Sequence, residues 1–272
     1  MALQLNWKYC YGKLGGGRMK MKAFITGASS GMGRDMAKIL SDKGYDLILV
    51  ARRRDRLEEL KKSLKTDVRI ICADLSVESE CRSLYEQVRN ENIDILINNA
   101  GLGVFGAFDT TDLQKELRMI DTNIRAVHIL TKLFLKDFKA KDAGYIMNVA
   151  SSAAFQPGPL LSSYYASKAY VLRLTEAIYE ELRRSGSKVH ICALCPGPVH
   201  TEFDTVADVK FSVKGLESRY VAEYALRKMF ENKLVIVPGA LMKCTRFFGR
   251  FLPEKQMLRI AYHMQKRKTG EK

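Results

Sequence analysis

The chain has 272 residues and a formal net charge of +15, which raises nucleic-acid binding as a first hypothesis. The charge is concentrated at the ends: residues 1–20 carry four Lys or Arg and no acid, and residues 241–272 carry nine against two acids. Between them, residues 21–240 carry nearly equal numbers of basic and acidic side chains. We therefore expect no nucleic-acid partner, and the length without repeats or low-complexity linkers favours a single domain.

Six cysteines without a secretory signal pattern predict reduced intracellular thiols. Cys192 and Cys195 form a CxxC pair, but they lie in a β-rich apolar run where positions i and i+3 face opposite sides of a strand. Two packed strand cysteines are favoured over a metal or redox pair, and we predict no metal site. No apolar run reaches the roughly 18–20 residues that a bilayer span requires, so a cytoplasmic location is predicted.

Residues 1–20 show no hydrophobic period and contain three consecutive glycines, a pattern that predicts a disordered arm. Met19 and Met21 lie directly before the first predicted strand. A later natural start is therefore a hypothesis, which mass spectrometry of the natively expressed protein would test.

From Lys22 onward, short apolar runs alternate with helix-like segments. Helices are predicted from about 32 to 42 and over 55–65, 77–90, 112–138, 162–184 and 217–231. Strands are predicted over 22–26, 46–51, 68–72, 94–98, 145–150, 189–194 and 234–237. The alternation predicts an α/β fold with a seven-stranded, doubly wound parallel sheet, whose ligands bind beyond the carboxyl ends of the strands.

The first strand leads into the turn TGASSGMG, residues 26–33, and then into a helix. Three glycines remove the Cβ atoms, so a pyrophosphate can lie against backbone N–H groups at the helix N-terminus. The turn lacks the lysine that a phosphate-transferring P-loop requires. It therefore predicts a dinucleotide site whose contacts include Gly27, Ser29, Ser30, Gly31, Met32 and Gly33.

After the second strand, Ala51 stands where an NAD site places an acid, and Arg52 and Arg53 follow it. Guanidinium groups bind a 2′-phosphate well, so NADP(H) is predicted over NAD(H). The alternative is that residues 52–54 are only surface arginines at a helix start, neutralised by Asp55 and Glu58.

Two further cofactor contacts follow the third and fourth strands. Asp74, next to Leu75, can accept a hydrogen bond from an adenine amino group, although a helix N-cap role for Asp74 or Ser76 is the alternative. The turn Asn98-Asn99-Ala100-Gly101 lacks bulk and suits close approach to a ribose.

Ser151, Tyr164 and Lys168 follow downstream. Tyr164 and Lys168 are four residues apart on a predicted helix, so the ammonium can lie near the phenol. The ammonium and an oxidised nicotinamide would both favour the phenolate and lower its pKa from about 10. Ser151 ends the fifth strand and can donate a hydrogen bond to a carbonyl oxygen that gains charge. The spacing of Tyr164 and Lys168 is also common on helices without any catalytic role.

These motifs together resemble the classical short-chain dehydrogenase/reductase family over about residues 21–240. TGASSGMG is similar to its TGxxxGxG turn, and NNAG at 98–101 to its second signature. Ser151 followed thirteen residues later by YYASK is similar to its catalytic centre, and PGPVHT at 196–201 to its PGxVxT loop. The spacing selects Tyr164 over Tyr165 and Ser151 over Ser152.

The resemblance implies a Rossmann-type domain that exchanges a proton and a hydride between an alcohol and a ketone. It implies Tyr164 as the general acid or base, Lys168 on the nicotinamide ribose, Ser151 on the carbonyl, and Asn123 as the anchor of a proton-relay water. Ala126 departs from the usual NxxG pattern after Asn123. The nicotinamide contacts that the resemblance implies are Pro196, Gly197, Val199 and Thr201.

In this family the segment after the PG loop largely sets substrate specificity. Residues 202–220 mix apolar and charged side chains, which predicts a mobile lid with one apolar face. Such a lid favours an apolar substrate, a steroid-like or aromatic ketone or alcohol. A homodimer or homotetramer is also predicted. The tail, 241–272, predicts either a basic amphipathic helix that lies on an anionic membrane or a partner, or a surface helix packed on its own domain.

Two alternative functions remain open at this point. One is a non-catalytic NADP-binding redox sensor, against which the intact Ser151, Tyr164 and Lys168 argue. The other is a sugar-nucleotide epimerase or dehydratase, a class that also uses YxxxK. That class normally has a tighter glycine turn and a longer substrate domain than this chain offers after residue 240.

Overall fold

The computed structural model describes residues 20–202 and 215–266. The predicted N-terminal arm, except Lys20, and the central part of the predicted lid, 203–214, lie outside the described residues. Within the described ranges, none of the helices combines the length and the apolarity needed to span a bilayer.

The described strands form a seven-stranded parallel sheet in the order β3-β2-β1-β4-β5-β6-β9, which confirms the predicted fold class. They are β1 (Lys22–Thr26), β2 (Asp46–Ala51), β3 (Val68–Cys72), β4 (Ile95–Asn98), β5 (Tyr145–Val149), β6 (His190–Leu194) and β9 (Val235–Ile236). The strand order reverses between β1 and β4, and ligands bind at such a reversal in open α/β sheets. The sequence did not predict a separate parallel pair, β7 (Val199–His200) with β8 (Leu216–Glu217).

The helices are α1 (Gly31–Asp42), α2 (Arg54–Lys62), α3 (Glu78–Glu86), α4 (Leu113–Ile120), α5 (Val127–Ala140), α6 (Ser162–Arg184), α7 (Ser218–Phe230), α8 (Ala240–Phe248) and α9 (Glu254–Lys266). The single helix predicted over 112–138 is interrupted by a π-helical turn, Asp121–Ala126. Such a turn adds one residue to a helical turn and leaves the apolar pattern nearly unchanged, so periodicity did not reveal it.

The sheet is covered on both faces because successive strand residues alternate between two apolar clusters. Phe24 pairs with Ile48 and Leu96 in register and packs with α3, α5 and α6. The next residue, Ile25, pairs with Leu49 and packs on the opposite face with α1 and α7. Two covered faces leave the strand ends as the place for a site.

Candidate active site

A cleft of about 910 Å³ lies at the carboxyl ends of the central strands. Every residue predicted for cofactor binding or catalysis lines it, except Gly33 and Asn123. The fold therefore brings together residues spread from position 27 to position 201.

The glycine turn lies tightly against the end of β4. Gly27 has a φ of +64°, and a Cβ at this position would lie 2.8 Å from the Cα of Ala100. A Cβ on Gly33 would collide with the carbonyl oxygen of Gly27. Ser30 precedes α1 in an extended conformation, and among the described residues no side chain caps the first turn of this helix and no acid occupies that turn. The bare turn and uncapped N-terminus fit a pyrophosphate.

Two neighbouring loops are held together by Thr26 and Asn99. The Thr26 hydroxyl accepts hydrogen bonds from the backbone N–H groups of Asn99 at 3.0 Å and Ala100 at 3.1 Å. The Asn99 amide donates to the carbonyl oxygens of Thr26 and Gly27, both at 3.1 Å. Asn99 therefore fixes the shape of the glycine turn. Asn98, only 2% exposed, donates instead to Asn148 in the core.

Two of the three consecutive arginines reach the cleft. Arg53 donates to the hydroxyls of Ser29 at 3.3 Å and Ser30 at 3.4 Å, so it lies beside the glycine turn. Arg52 lines the same cleft. Arg54 instead pairs with Glu58 at 3.6 Å, as the surface alternative predicted for it. The corner after β2 therefore presents guanidinium groups that suit a 2′-phosphate.

Asp74 lines the cleft and also closes a turn. Its Oδ1 accepts hydrogen bonds from the backbone and hydroxyl of Ser76 at 3.0 and 2.8 Å. Burial raises the pKa of Asp74, but the Ser76 hydrogen bonds and the charges of Arg52 and Arg118 outweigh it, so the pKa is lowered. Helix α3 begins at Glu78 with Val77 as its N-cap, so the alternative that Asp74 or Ser76 caps the helix is wrong.

Ser151, Tyr164 and Lys168 meet at the end of β5. Ser151 begins a 3₁₀ turn, Ser152–Phe155, and shares a hydrogen bond with the phenol of Tyr164. The Lys168 ammonium donates to the carbonyl oxygen of Val149 at 3.0 Å and lies 5.8 Å from the centroid of the Tyr164 ring. The arrangement can supply a proton and orient a carbonyl at one point of the cleft.

Burial dominates the ionisation of this pair. It raises the pKa of Tyr164 to about 12, and the Ser151 hydrogen bond offsets only part of the increase. It lowers the pKa of Lys168 to about 8. The expected lowering of the Tyr164 pKa by Lys168 is not observed: desolvation outweighs the Ser151 hydrogen bond, and the Lys168 ammonium lies over the ring and bonds to Val149. The phenol is therefore neutral at pH 7 and can donate a proton.

Asn123 lies behind the cleft, in the π-helical turn. Its Oδ1 accepts from the backbone N–H of Leu102 at 2.9 Å. Its Nδ2 donates to the Leu102 carbonyl at 2.9 Å and to the Ser167 hydroxyl at 3.0 Å. Both side-chain N–H groups are therefore used by the protein, and only the oxygen retains a free lone pair for a water. The relay role of Asn123 stays a prediction.

The C-terminal helices form a wall of the cleft that the sequence did not predict. Leu241, Met257 and Met264 line it together with Phe155 and Leu161. The tail therefore packs on its own domain, as one of the two alternatives proposed.

A buried amide fixes α9 against the catalytic helix. Gln265, 3% exposed, donates a hydrogen bond of 2.5 Å to the Tyr165 hydroxyl, which is next to Tyr164 in the chain. The amphipathic pattern of residues 240–266 was visible in the sequence, but it did not show where the apolar face would dock.

The family model described as short chain dehydrogenase matches residues 21–209. The chain belongs to the classical short-chain dehydrogenase/reductase family. It is therefore an oxidoreductase that binds a nicotinamide cofactor and acts on a small molecule.

Individual relatives agree in fold and sequence. An uncharacterized oxidoreductase of Staphylococcus epidermidis is 32% identical over 209 residues, which cover 75% of this chain and 90% of that one. A short-chain dehydrogenase from Sphingobium yanoikuyae, solved in complex with NADPH, is 30% identical, with a TM-score of 0.77, covering 85% of this chain and 92% of that one. A bulky-bulky ketone specific alcohol dehydrogenase from Comamonas testosteroni is 27% identical, with a TM-score of 0.74, covering 85% and 91%.

Two cysteines of this short-chain dehydrogenase form a CxxC spacing without a shared site. Cys192 and Cys195 are fully buried and pack into different apolar clusters, which confirms that they face opposite sides of the strand. Burial raises the pKa of the Cys195 thiol to about 12. Within residues 20–202 and 215–266, no group of three or more His, Cys, Asp or Glu side chains is placed to hold a metal ion.

Proposed function

We propose that the protein is an NADP(H)-dependent oxidoreductase that interconverts a secondary alcohol and a ketone. The observation that carries this proposal is the convergence of Ser151, Tyr164 and Lys168 on the cleft that also contains the glycine turn and Arg53. Cofactor preference, reaction class and residue roles belong to the proposal, and membership of the family supports it.

In the proposed mechanism Tyr164 donates its phenolic proton to the carbonyl oxygen during reduction. A pKa of about 12 keeps the phenol protonated at pH 7, so the proton is available for donation. Ser151, whose hydroxyl lies within hydrogen-bond reach of the Tyr164 phenol, would turn its single proton to the same oxygen and stabilise the charge that develops there. NADP(H), when bound, supplies or accepts the hydride.

Lys168 and Asn123 have supporting roles in the proposal. A Cβ on Gly101 would lie 3.2 Å from the Lys168 nitrogen and 3.4 Å from the Asn123 oxygen, so this glycine opens a path between the cleft and both groups. Lys168 would bind the nicotinamide ribose along that path. Asn123 would anchor a relay water through its oxygen, while its amide positions Leu102 and Ser167.

Arg52 and Arg53 would hold the 2′-phosphate of NADP(H). Support comes from their position in the cleft and from the NADPH bound to the Sphingobium relative. Pro196, Gly197, Val199 and Thr201 line the cleft beside the catalytic residues and would contact the nicotinamide.

The substrate proposed is a bulky apolar ketone or alcohol, steroid-like or aromatic. Phe155, Leu161, Leu241, Met257 and Met264 give the cleft an apolar wall that would not satisfy the hydroxyls of a sugar. The specificity of the Comamonas testosteroni alcohol dehydrogenase for bulky-bulky ketones supports the same class.

The test is NADPH oxidation with a panel of hydroxysteroid-type, aromatic and aliphatic ketones. A Tyr164→Phe variant is expected to lose about 10²- to 10⁴-fold in turnover while still binding NADPH, because it lacks only the proton donor. Tyr165→Phe is the matched control, since Tyr165 also lines the cleft but its hydroxyl bonds to Gln265. Absence of turnover with every ketone, together with no NADPH binding, would refute the proposal.

We further propose that α8 and α9 contact an anionic membrane surface. The rings of Phe247, Phe248 and Phe251 form an exposed cluster. The centroid of the Phe247 ring lies 5.2 Å from that of Phe248 and 5.5 Å from that of Phe251. Lys243 on α8 and Lys255 on α9 are both exposed, and such cations complement acidic lipid headgroups.

Co-sedimentation with phosphatidylglycerol-containing and pure phosphatidylcholine vesicles tests the membrane contact. Phe251→Ser should weaken binding to the acidic vesicles, whereas Phe108→Ser, an exposed phenylalanine outside the tail, should not. Vesicle-independent self-association that Phe251→Ser abolishes would instead make this face a contact between copies.

Three broader expectations remain proposals. The chain would form a homodimer or homotetramer, which sedimentation velocity would measure. It would function in the cytoplasm, as cell fractionation would test. Residues 21–240 would make up the catalytic domain, with 202–220 as a lid. Of this segment the structure describes Glu202 and residues 215–220, in which Leu216 and Glu217 form β8 and α7 begins at Ser218.

A further inference from the structure

An ion-pair bridge connects the two sides of the cofactor cleft. Glu202 directly follows Thr201, a predicted nicotinamide contact, and its carboxylate reaches the start of α2. Its Oε2 lies 3.0 Å from Nη2 of Arg53, and its Oε1 accepts a hydrogen bond from Arg56. The hydrogen bonds from Arg56 and Arg53 hold the pKa of Glu202 below its usual range.

The bridge uses the donors that the proposed 2′-phosphate site offers. Nη2 of Arg53 contacts Glu202 and also the hydroxyls of Ser29 and Ser30. Carboxylates and phosphates bind guanidinium groups through the same parallel N–H donors, so the Glu202 carboxylate and a 2′-phosphate compete for one group. A nucleotide with a free 2′-hydroxyl brings no such competitor.

We propose that Glu202 is a specificity-determining residue that lowers the preference for NADP(H) over NAD(H). A nucleotide with a 2′-phosphate must displace the carboxylate from Arg53, whereas one without it leaves the bridge to Arg53 and Arg56 intact. The inference rests on the proposed NADP(H) site. Both arginines and Glu202 are partly exposed, so each ion pair is weak and its release costs only a modest factor in affinity.

The experiment is calorimetric titration of the full-length protein with NADP⁺ and with NAD⁺. Glu202→Gln keeps the shape of the side chain and removes its charge, and it should lower the Kd for NADP⁺ by roughly threefold to tenfold. The Kd for NAD⁺ should change by less than about twofold. Adenosine 2′,5′-bisphosphate and 5′-AMP give the same comparison without the nicotinamide half.

Glu59→Gln is the matched control, because Glu59 is exposed on the same helix as Arg56 and its substitution changes the net charge equally. It should leave the ratio of the two Kd values unchanged. An unchanged ratio in Glu202→Gln would overturn the inference. Equal weakening of both nucleotides would also overturn it, because Glu202 would then hold the cleft closed over any cofactor.

The wild-type titration separates failure of this inference from failure of the proposed function. A wild-type protein that binds NADP⁺ no better than NAD⁺, with a ratio that Arg53→Gln does not alter, would remove the 2′-phosphate site itself. A wild-type preference for NADP⁺ that Glu202→Gln fails to increase would leave the site in place and refute only the role of Glu202.

Discussion

Lys168→Met is expected to make the protein more stable at pH 7 while impairing its function. Burial lowers the pKa of this lysine from 10.5 to about 8, so the charged side chain destabilises the folded state by about 3 kcal/mol at pH 7. Methionine removes the charge, and loss of the hydrogen bond to Val149 offsets about 1 kcal/mol of the gain. The net expectation is a gain of about 2 kcal/mol in the free energy of unfolding.

The pH dependence identifies the cause. Because the folded-state pKa is the lower one, the unfolded chain binds more protons between pH 8 and 10.5, and wild-type stability rises with pH there. The advantage of the methionine variant should therefore shrink by about 2.5 kcal/mol between pH 7 and pH 10 in urea unfolding. Lys132→Met, an exposed site on α5, should change stability by less than about 0.5 kcal/mol.

The same variant tests the role proposed for Lys168 in catalysis. It should bind NADP⁺ more weakly, because Lys168 would no longer reach the nicotinamide ribose. The apparent pKa for alcohol oxidation, which needs the phenolate of Tyr164, should rise if the ammonium adds to the charge of the oxidised nicotinamide in favouring that phenolate. A variant that is less stable than wild type at pH 7, or whose advantage does not shrink at pH 10, would refute the stability argument. A wild-type pH profile of kcat at saturating cofactor would show that Lys168 does not activate Tyr164.

Three further predictions concern other parts of the molecule. Thr26→Val should lower the free energy of unfolding, measured in urea, by about 1–3 kcal/mol, because the N–H groups of Asn99 and Ala100 lose their acceptor. Thr26→Ser keeps the hydroxyl and loses only a methyl group, so it should lower that free energy by only about 1 kcal/mol. Burial lowers the pKa of His190 to about 4, so the unfolded chain binds more protons below about pH 6.5 and stability falls on acidification. This group should cost the wild type about 2 kcal/mol in the free energy of unfolding between pH 7.5 and pH 5. His190→Leu should not show that loss. Arg53→Gln should raise the KM for NADPH about tenfold or more and that for NADH far less; equal increases would make Arg53 mere surface charge.

Most of the sheet followed from local pattern. Strands β2 and β3 and helix α6 have the predicted bounds, because short apolar runs and a long amphipathic segment are set by neighbouring residues. The π-helical turn around Asn123 and the short pair β7–β8 were not predicted. Both depend on contacts with segments elsewhere in the chain: Asn123 bonds to Leu102 and Ser167, and β7 pairs with Leu216 and Glu217 within the predicted lid.

The residues of the site could be predicted from sequence, whereas their ionisation could not. Sequence by itself determined the fold class and the glycine turn, because the alternation of short strands and helices places such turns at strand ends. Resemblance to the classical short-chain dehydrogenase/reductase family, and not spacing alone, singled out Ser151, Tyr164 and Lys168. It could not give the ionisation of Tyr164 and Lys168, which depends on how much solvent the folded chain removes.

Nor could the sequence give contacts between residues far apart in the chain. Glu202 meets Arg53 and Arg56 across nearly 150 positions, and Gln265 meets Tyr165 across 100. No period or motif links such pairs. Only the tertiary structure decided them, because each depends on where β7 and α9 lie against elements formed much earlier in the chain.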